Sequence, residues 1–422
     1  MGNEVEAKEW IGYHTYLIIF LSIVNFFTIF SVVYGGLTMN NVAKSFGISV
    51  TIIPLITSIM GIGMVFSIIF QNQADRFGRK KIMFVFYMLI HINGIFFILS
   101  PNIIIYTILG FVGSTFGVNL INVIISEEIP ARYRGTIIGI VQGIGMSGSI
   151  LAAFLSTFLS YSPDMWRDIY LSVDIPGTII FSILWLWMKE PKRFQKEKEI
   201  KLIKEKSRSE IFAVFQPKYI RIFSLSCSLV FSVSFIYITI KRYFKPFLLD
   251  ERGYLGFNDA TVGFWMIFIY LGSIIGYYLS GYLADKIGRR KTIYISAFIY
   301  FIFNITFVII QIDWVILLSL LGVNASFSIF FITVNIYAVE FYSTKERATA
   351  LGWITIIGNA PWVLGNFLIS LLLGFGLSWG AIFLLFSFFP ILLIVLTKLM
   401  PETKKLVLED IHEKYVEKKI GN

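Results

Sequence analysis

The sequence predicts an all-α membrane protein with twelve transmembrane helices, arranged as two related six-helix halves with both termini cytoplasmic. Three observations carry this expectation. The 422 residues are 56% hydrophobic and 17% aromatic but only 15% charged, more apolar surface than a soluble chain of this length can bury. Apolar stretches of about 20 residues recur along the whole chain, each long enough as a helix to cross a hydrocarbon layer of about 30 Å. A short loop signature occurs twice, ADRFGRKK at 74–81 and ADKIGRRK at 284–291, and points to an internal duplication.

The spans read, in order, 14–37, 48–72, 81–99, 103–125, 136–160, 168–188, 219–240, 260–284, 291–310, 314–338, 347–375 and 378–399. Lipid offers their backbone no hydrogen-bond partner, so each must be a helix. Glu4, Glu6 and Glu9 outweigh Lys8 before the first span, and no small-residue cleavage site follows it, so the N-terminus does not read as a signal peptide. Basic residues set the orientation. With the N-terminus inside, 30 of the 36 Lys and Arg fall on the inner side, leaving Lys44, Arg167, Lys241, Arg242, Lys245 and Arg252 outside. The net charge of +10 is then mostly topogenic, and no soluble basic domain exists to take a nucleic-acid partner.

The single cysteine, Cys227, excludes an internal disulfide or a Cys-rich metal site. Of three histidines, only His91 lies well inside a span, where a lone histidine reads as a local hydrogen-bonder. The expected partners are the bilayer of the cell membrane and a small molecule, with no cofactor, and the chain is expected to be a monomer.

The domain plan is an N-terminal half at 1–188, a cytoplasmic linker at 189–218, a C-terminal half at 219–400 and a tail at 401–422. From Lys189 to Arg221 there are 11 basic and 5 acidic residues, which fits a solvated linker that anchors at an anionic leaflet, or a regulatory docking site. The halves align on independent landmarks. Asp75 answers to Asp285 at an offset of 210, Glu127 and Arg134 to Glu340 and Arg347 at 213, Trp166 to Trp379 at 213 and Pro176 to Pro390 at 214.

These landmarks resemble the major facilitator superfamily, and within it the broad sugar-porter branch that also holds organic-ion and carboxylate carriers. The second loop copy fits that family's Asp-x-x-Gly-Arg-Arg/Lys signature fully, whereas Gln71, Asn72 and Gln73 depart upstream of the first. Glu127 to Arg134-Gly135, Trp166-Arg167, the worn Glu190-Pro191-Lys192-Arg193-Phe194 and Pro401-Glu402-Thr403-Lys404 with Leu408 to Ile411 complete the likeness. The resemblance implies the major facilitator fold and a secondary carrier working by alternating access. Its substrate is a small polar organic solute, sugar-like first and an organic anion or carboxylate second, with protons as a possible coupling ion. A membrane sensor on the same fold is disfavoured by the short tail, and a membrane enzyme by the lack of a nucleophile–base pair in the spans.

The resemblance assigns the repeated loops to a cytoplasmic gate of Asp75, Arg76, Gly78, Arg79, Lys80, Glu127 and Arg134, with Asp285, Lys286, Gly288, Arg289, Arg290, Glu340 and Arg347 in the second half. Gly78 and Gly288 would permit the tight turn. Arg76, Arg79, Lys286 and Arg289 would reach Glu127 and Glu340, each pair worth about 0–1 kcal/mol at the water edge. The plainer alternative is that these charges only fix topology.

In this architecture substrate sits near the midplane, which makes Asn25, Asn119, Tyr237, Tyr270, Asn324, Asn359 and Trp362 candidates, each equally able to glue helices together. Gln142 matches the position at which sugar-porter relatives carry a sugar-binding Gln. Two departures stand against that likeness. The family's acid in span 1 is missing from Ser31 to Asn40, and its Gln pair in span 7 is missing from Leu225 to Ile240. Proton coupling would then run through Asp174, unless that residue merely pairs with Arg167 or caps outer backbone. Lys241, Arg242 and Lys245 form a basic cluster on the outer side, either a mouth for anions or ordinary snorkelling to lipid. Gly139/Gly143 and Gly272/Gly276 are spaced for close helix contact.

Overall fold

The computed structural model describes residues 10–71, 77–116, 120–191, 213–239, 241–250, 257–338, 340–342, 344–404 and 415, and all regular structure among them is helical. The first eight α-helices are α1 Gly12–Leu37, α2 Met39–Ser45, α3 Ile53–Gln71, α4 Arg79–Ile98, α5 Ile103–Thr115, α6 Ile121–Glu128, α7 Ala131–Ser156 and α8 Met165–Trp185. There follow α9 Pro217–Thr239, α10 Phe244–Asp250, α11 Asp259–Ile287, α12 Arg289–Ile309, α13 Asp313–Tyr337, α14 Thr344–Gly374, α15 Trp379–Phe386 and α16 Phe389–Leu399.

Among the described residues ten helical stretches are long and apolar enough to span a membrane, or eleven if α2 and the stretch from Val50 are one span bent by 118°. The expected span at 103–125 is covered by α5 and α6, which flank residues 117–119, outside the described set. One boundary differs in a way that matters. Span 7 does not stop at 240: a 3-10 turn at Lys241–Tyr243 leads into α10, and the apolar stretch runs from Pro217 to Leu249. Lys241, Arg242 and Lys245 therefore lie within a helical stretch that continues past the expected end of span 7, and Lys245 is buried.

The chain divides into two compact units, Met1–Glu205 with Phe257–Ile267, and Lys206–Gly256 with Phe268–Asn422. The grouping places Phe257–Ile267 with the first unit, unlike the expected plan, and most of the expected linker (192–212) lies outside the described residues.

In the first unit α1 packs against α7 and α8, α4 against α8, and α3 against α5. Lipid tails are as apolar as leucine, so these contacts depend on close van der Waals packing rather than escape from water. Glycine provides the closeness. A Cβ on Gly148 of α7 would lie 2.2 Å from the Phe26 carbonyl oxygen of α1, and one on Gly145 would strike Asn25. The expected Gly139 is not part of this contact and faces open space. Around the seam Leu17, Phe20, Phe86, Ile124, Val141 and Phe181 form the core, with the Tyr87 and Phe181 rings stacked at 3.9 Å. At the end of α2, Ser45 hydrogen-bonds Asp164. That bond, joined by Arg167, holds the Asp164 carboxyl below the usual carboxylate range.

The second unit repeats the pairing. There α9 packs against α14 and α16, and α12 against α13, α15 and α16. Gly272 and Gly276 of α11 lie where a Cβ would be 2.8 and 2.3 Å from the carbonyl oxygens of Leu321 and Ala325, as their spacing predicts. The landmark tryptophans Trp166 and Trp379 are both buried, each at the start of a helix.

Candidate functional site

The two loop copies fold into matching clamps, one in each unit. Gly78 has φ +104° and Gly288 φ +101°, values that side chains of L residues rarely adopt. Each glycine precedes a helix, so the next two backbone N–H groups have no intrahelical partner. A carboxylate from far along the chain takes them. Glu190 accepts from the N–H of Arg79 and, at 3.2–3.3 Å, from that of Lys80. Glu402 accepts from Arg289 at 3.0 Å and Arg290 at 3.1 Å. The helix dipole favours an anion at this point.

The arginine side chains complete the clamps. Arg79 Nε and Nη2 donate to Glu127 at 2.8–3.2 Å, and Arg289 Nε donates to Glu340 at 3.2 Å. Thr403 Oγ1 donates to the other oxygen of Glu340 at 2.5 Å. The expectation that such pairs sit at the water edge fails for Arg79 and Glu127, whose side chains are 6% and 11% exposed. The other bases point elsewhere. Lys286 does not reach Glu340 but donates to Tyr282 at 2.8 Å, Lys80 lies over the Trp185 ring, and Arg290 bonds Tyr294 and the Lys398 carbonyl. Asp285 meets Arg289 Nη1 at 3.0 Å while 78% exposed. Asp75 and Arg76 lie outside the described residues, as do the side chains of Arg134 and Arg347.

In the second unit four of the predicted polar and aromatic residues gather around two cations. Lys241 Nζ donates to Ser273 Oγ at 3.2 Å, and Ser273 donates to Asn324 Oδ1 at 3.3 Å. The same ammonium lies 4.6 Å from the Phe327 ring centre and 5.9 Å from that of Tyr237. The Arg242 guanidinium lies 4.6 Å over Trp362, whose ring stacks near Tyr237 at 6.4 Å. Tyr270 is within electrostatic reach of Tyr237 and Arg242. Neither cation has a carboxylate partner among the described residues, and the buried Arg242 Nε has no hydrogen-bond partner among them. Both side chains are thus engaged by groups of their own unit. Asn359 is half-buried one turn before Trp362 and does not join the cluster.

In the first unit Asn25 Nδ2 donates to the Val141 carbonyl at 3.1 Å and to Gln142 Oε1 at 3.2 Å, tying α1 to α7. Asn119 lies outside the described residues. Asp174 does not pair with Arg167, which is seven residues, or about two turns, away. Arg167 instead bonds Asp164 and the carbonyls of Ile98 and Ser100, while Asp174 Oδ1 meets His91 Nδ1 at 2.6 Å.

Sequence reasoning did not place Glu190 and Glu402 in the clamps. Their signal was present, since they stand 212 apart, within the 210–214 drift of the other landmarks. It also treated His91 and Asp174 separately, because nothing in a linear chain pairs positions 83 residues apart.

The Major Facilitator Superfamily model matches residues 16–254 and 230–417. The cis,cis-muconate transport protein of Acinetobacter baylyi is 27% identical over 405 residues, covering 89% of this chain and 91% of that one. The arabinose-proton symporter of Bacillus subtilis is 26% identical over 410 residues, covering 86% of each. In fold, the chain is similar to the crystal structure of a D-xylose-proton symporter, with a TM-score of 0.72 at 19% identity over 94% of this chain and 99% of that one.

Proposed function

The chain belongs to the Major Facilitator Superfamily, and we propose that it carries a small organic anion, a carboxylate, across the membrane by alternating access. It is a multi-pass integral protein of the cell membrane and a transporter of small organic solutes. The finer reading rests on one observation: Lys241 and Arg242 are held among Tyr237, Phe327 and Trp362 without a protein carboxylate among the described residues. A desolvated cation is costly unless an anion compensates it. A substrate carboxylate supplies that anion, and the aromatic faces suit an unsaturated or planar body beside it. The muconate-transporting relative is consistent with this chemistry.

A sugar substrate is the second reading. It is favoured by Gln142 at the position expected of sugar porters and by the arabinose–proton relative. Gln142, however, already accepts a hydrogen bond from Asn25. The clamps at Gly78 and Gly288 are assigned to the cytoplasmic side, where they would bias the balance between inward- and outward-open states.

Uptake of labelled cis,cis-muconate and of arabinose by proteoliposomes of the full chain tests the proposal. Muconate uptake that falls at least about tenfold in both Lys241→Gln and Arg242→Gln is expected. Transport of arabinose but not muconate would reverse the order of the two readings.

A further inference from the structure

We propose that His91 and Asp174 together form a proton-binding site, holding one proton between the two side chains and releasing it as the carrier cycles. This rests on the carrier reading but not on the identity of the substrate. The pair joins α4 to α8, with His91 Nδ1 and Asp174 Oδ1 2.6 Å apart and side chains only 7% and 4% exposed. Asp174 lies mid-helix in α8, and α1 contains no Asp or Glu. Both remaining polar atoms, His91 Nε2 and Asp174 Oδ2, are buried without a hydrogen-bond partner among the described residues.

The surroundings decide the charge. Facing the pair are Tyr87 from α4, its ring 4.4 Å from that of His91, and Tyr170 from α8, which is close to Asp174. Tyr34 of α1 stands behind Tyr170 at 6.2 Å and faces Asp168. Apart from Asp168 these groups are phenols, and no Lys or Arg contacts the pair among the described residues. With the imidazole neutral and the carboxylate ionised, the site would hold an uncompensated negative charge in apolar surroundings. One added proton brings the net charge to zero, whichever side chain carries it, so the proton belongs to the pair and not to either residue. Pro176, two residues on, removes one backbone bond from α8. A bend there would part Asp174 from His91 and let the proton go.

Two measurements test this. In the first, the full chain is labelled with ¹⁵N-histidine, reconstituted in lipid, and titrated by NMR from about pH 5 to pH 8, the range in which histidine charge ordinarily changes. The His91 signal is assigned by its loss in His91→Gln. Its response to pH is expected to differ between the wild type and Asp174→Asn. A His91 signal that responds identically in the two proteins would overturn the proposal whatever the substrate proves to be.

In the second, a pH gradient is imposed on proteoliposomes and muconate accumulation is measured. At zero membrane potential each proton carried with a substrate molecule gives about tenfold accumulation per pH unit. His91→Gln and Asp174→Asn are each expected to lose this accumulation relative to their own rate of substrate exchange. The swapped protein, His91→Asp with Asp174→His, is expected to regain part of it. Single variants that concentrate muconate like the wild type would refute the site. A wild type that moves neither muconate nor arabinose would count against the substrate reading alone, and the titration would then decide the proton site.

Discussion

Glu190 sits so close beneath Gly78 that a Cβ on that glycine would come within 2.7 Å of its Oε2. Glu402 stands in the same relation to Gly288, at 2.9 Å. The glycine is thus fixed by two demands at once, a positive φ and room for a carboxylate that neutralises the exposed N–H groups of the following helix. The loop motif and the element after each half's last span are parts of one device, joined through the fold.

Gly78→Ala should therefore cost more than Glu190→Gln. The alanine meets both a backbone penalty of about 1–3 kcal/mol and the carboxylate. The amide loses only the charge at a helix N-terminus, worth about 0.3–2 kcal/mol. Thermal melting of the purified protein checks the order. In a Glu190→Ala background the Gly78→Ala penalty should shrink, because the steric part has gone; an unchanged penalty would mean that backbone strain alone keeps the glycine.

Among the clamp acids, burial predicts the ranking. Glu127→Gln strands the Arg79 guanidinium at 6% exposure, and breaking one side of a buried pair costs about 3–5 kcal/mol. Asp285→Asn removes a partner that is 78% exposed, worth about 0–1 kcal/mol. Melting temperatures and labelling of a cysteine introduced near the loops should both respond strongly to the first variant and weakly to the second. Equal responses would mean that Asp285 acts through more than its contact with Arg289.

How much of this was legible in the sequence depends on distance along the chain. Apolar length alone locates most spans, because lipid leaves the backbone no choice but a helix. It fails at Lys241, where three charges in five residues mark the expected end of span 7 and yet lie within a stretch that continues to Leu249. Charge density says where a residue is expensive, not whether aromatic rings and a serine will receive it. The repeat exposed Arg79 and Arg289 because each lies in a copied motif. The His91–Asp174 contact has no copy and no local spacing, and only helix packing reveals it.

Asn25→Ala should destabilise the protein more than Gln142→Ala. Asn25 is buried and donates to both Val141 and Gln142, filling the space that Gly145 leaves open. Its loss removes two hydrogen bonds, each worth about 0.5–1.5 kcal/mol, and opens a gap between α1 and α7. Gln142→Ala leaves Asn25 its bond to Val141. If Gln142 contacts a sugar, its variant should weaken arabinose binding with little change in melting temperature. A pure stability loss with unchanged binding would make it helix glue.

The last prediction concerns how the two cations of the second unit respond to salt. Had Lys241 and Arg242 stood in an exposed mouth, their pull on an anion would fade as ionic strength rises, with a screening length of about 10 Å at 0.1 M. Both instead lie half-buried against aromatic rings, and Lys241 also hydrogen-bonds Ser273, which narrows the approach of mobile counter-ions. Removing either charge should therefore depress muconate transport by a similar factor at low and high salt. A charged hydrogen bond is worth about 1.5–3 kcal/mol, which corresponds to roughly ten- to a hundredfold in affinity. Arg242→Lys should not rescue the loss, since an ammonium offers neither the planar stacking surface over Trp362 nor the paired donors that match a carboxylate. Steep salt dependence of the loss in Arg242→Gln, or full rescue by lysine, would show the charge acting at a distance and would leave the cluster outside the binding site.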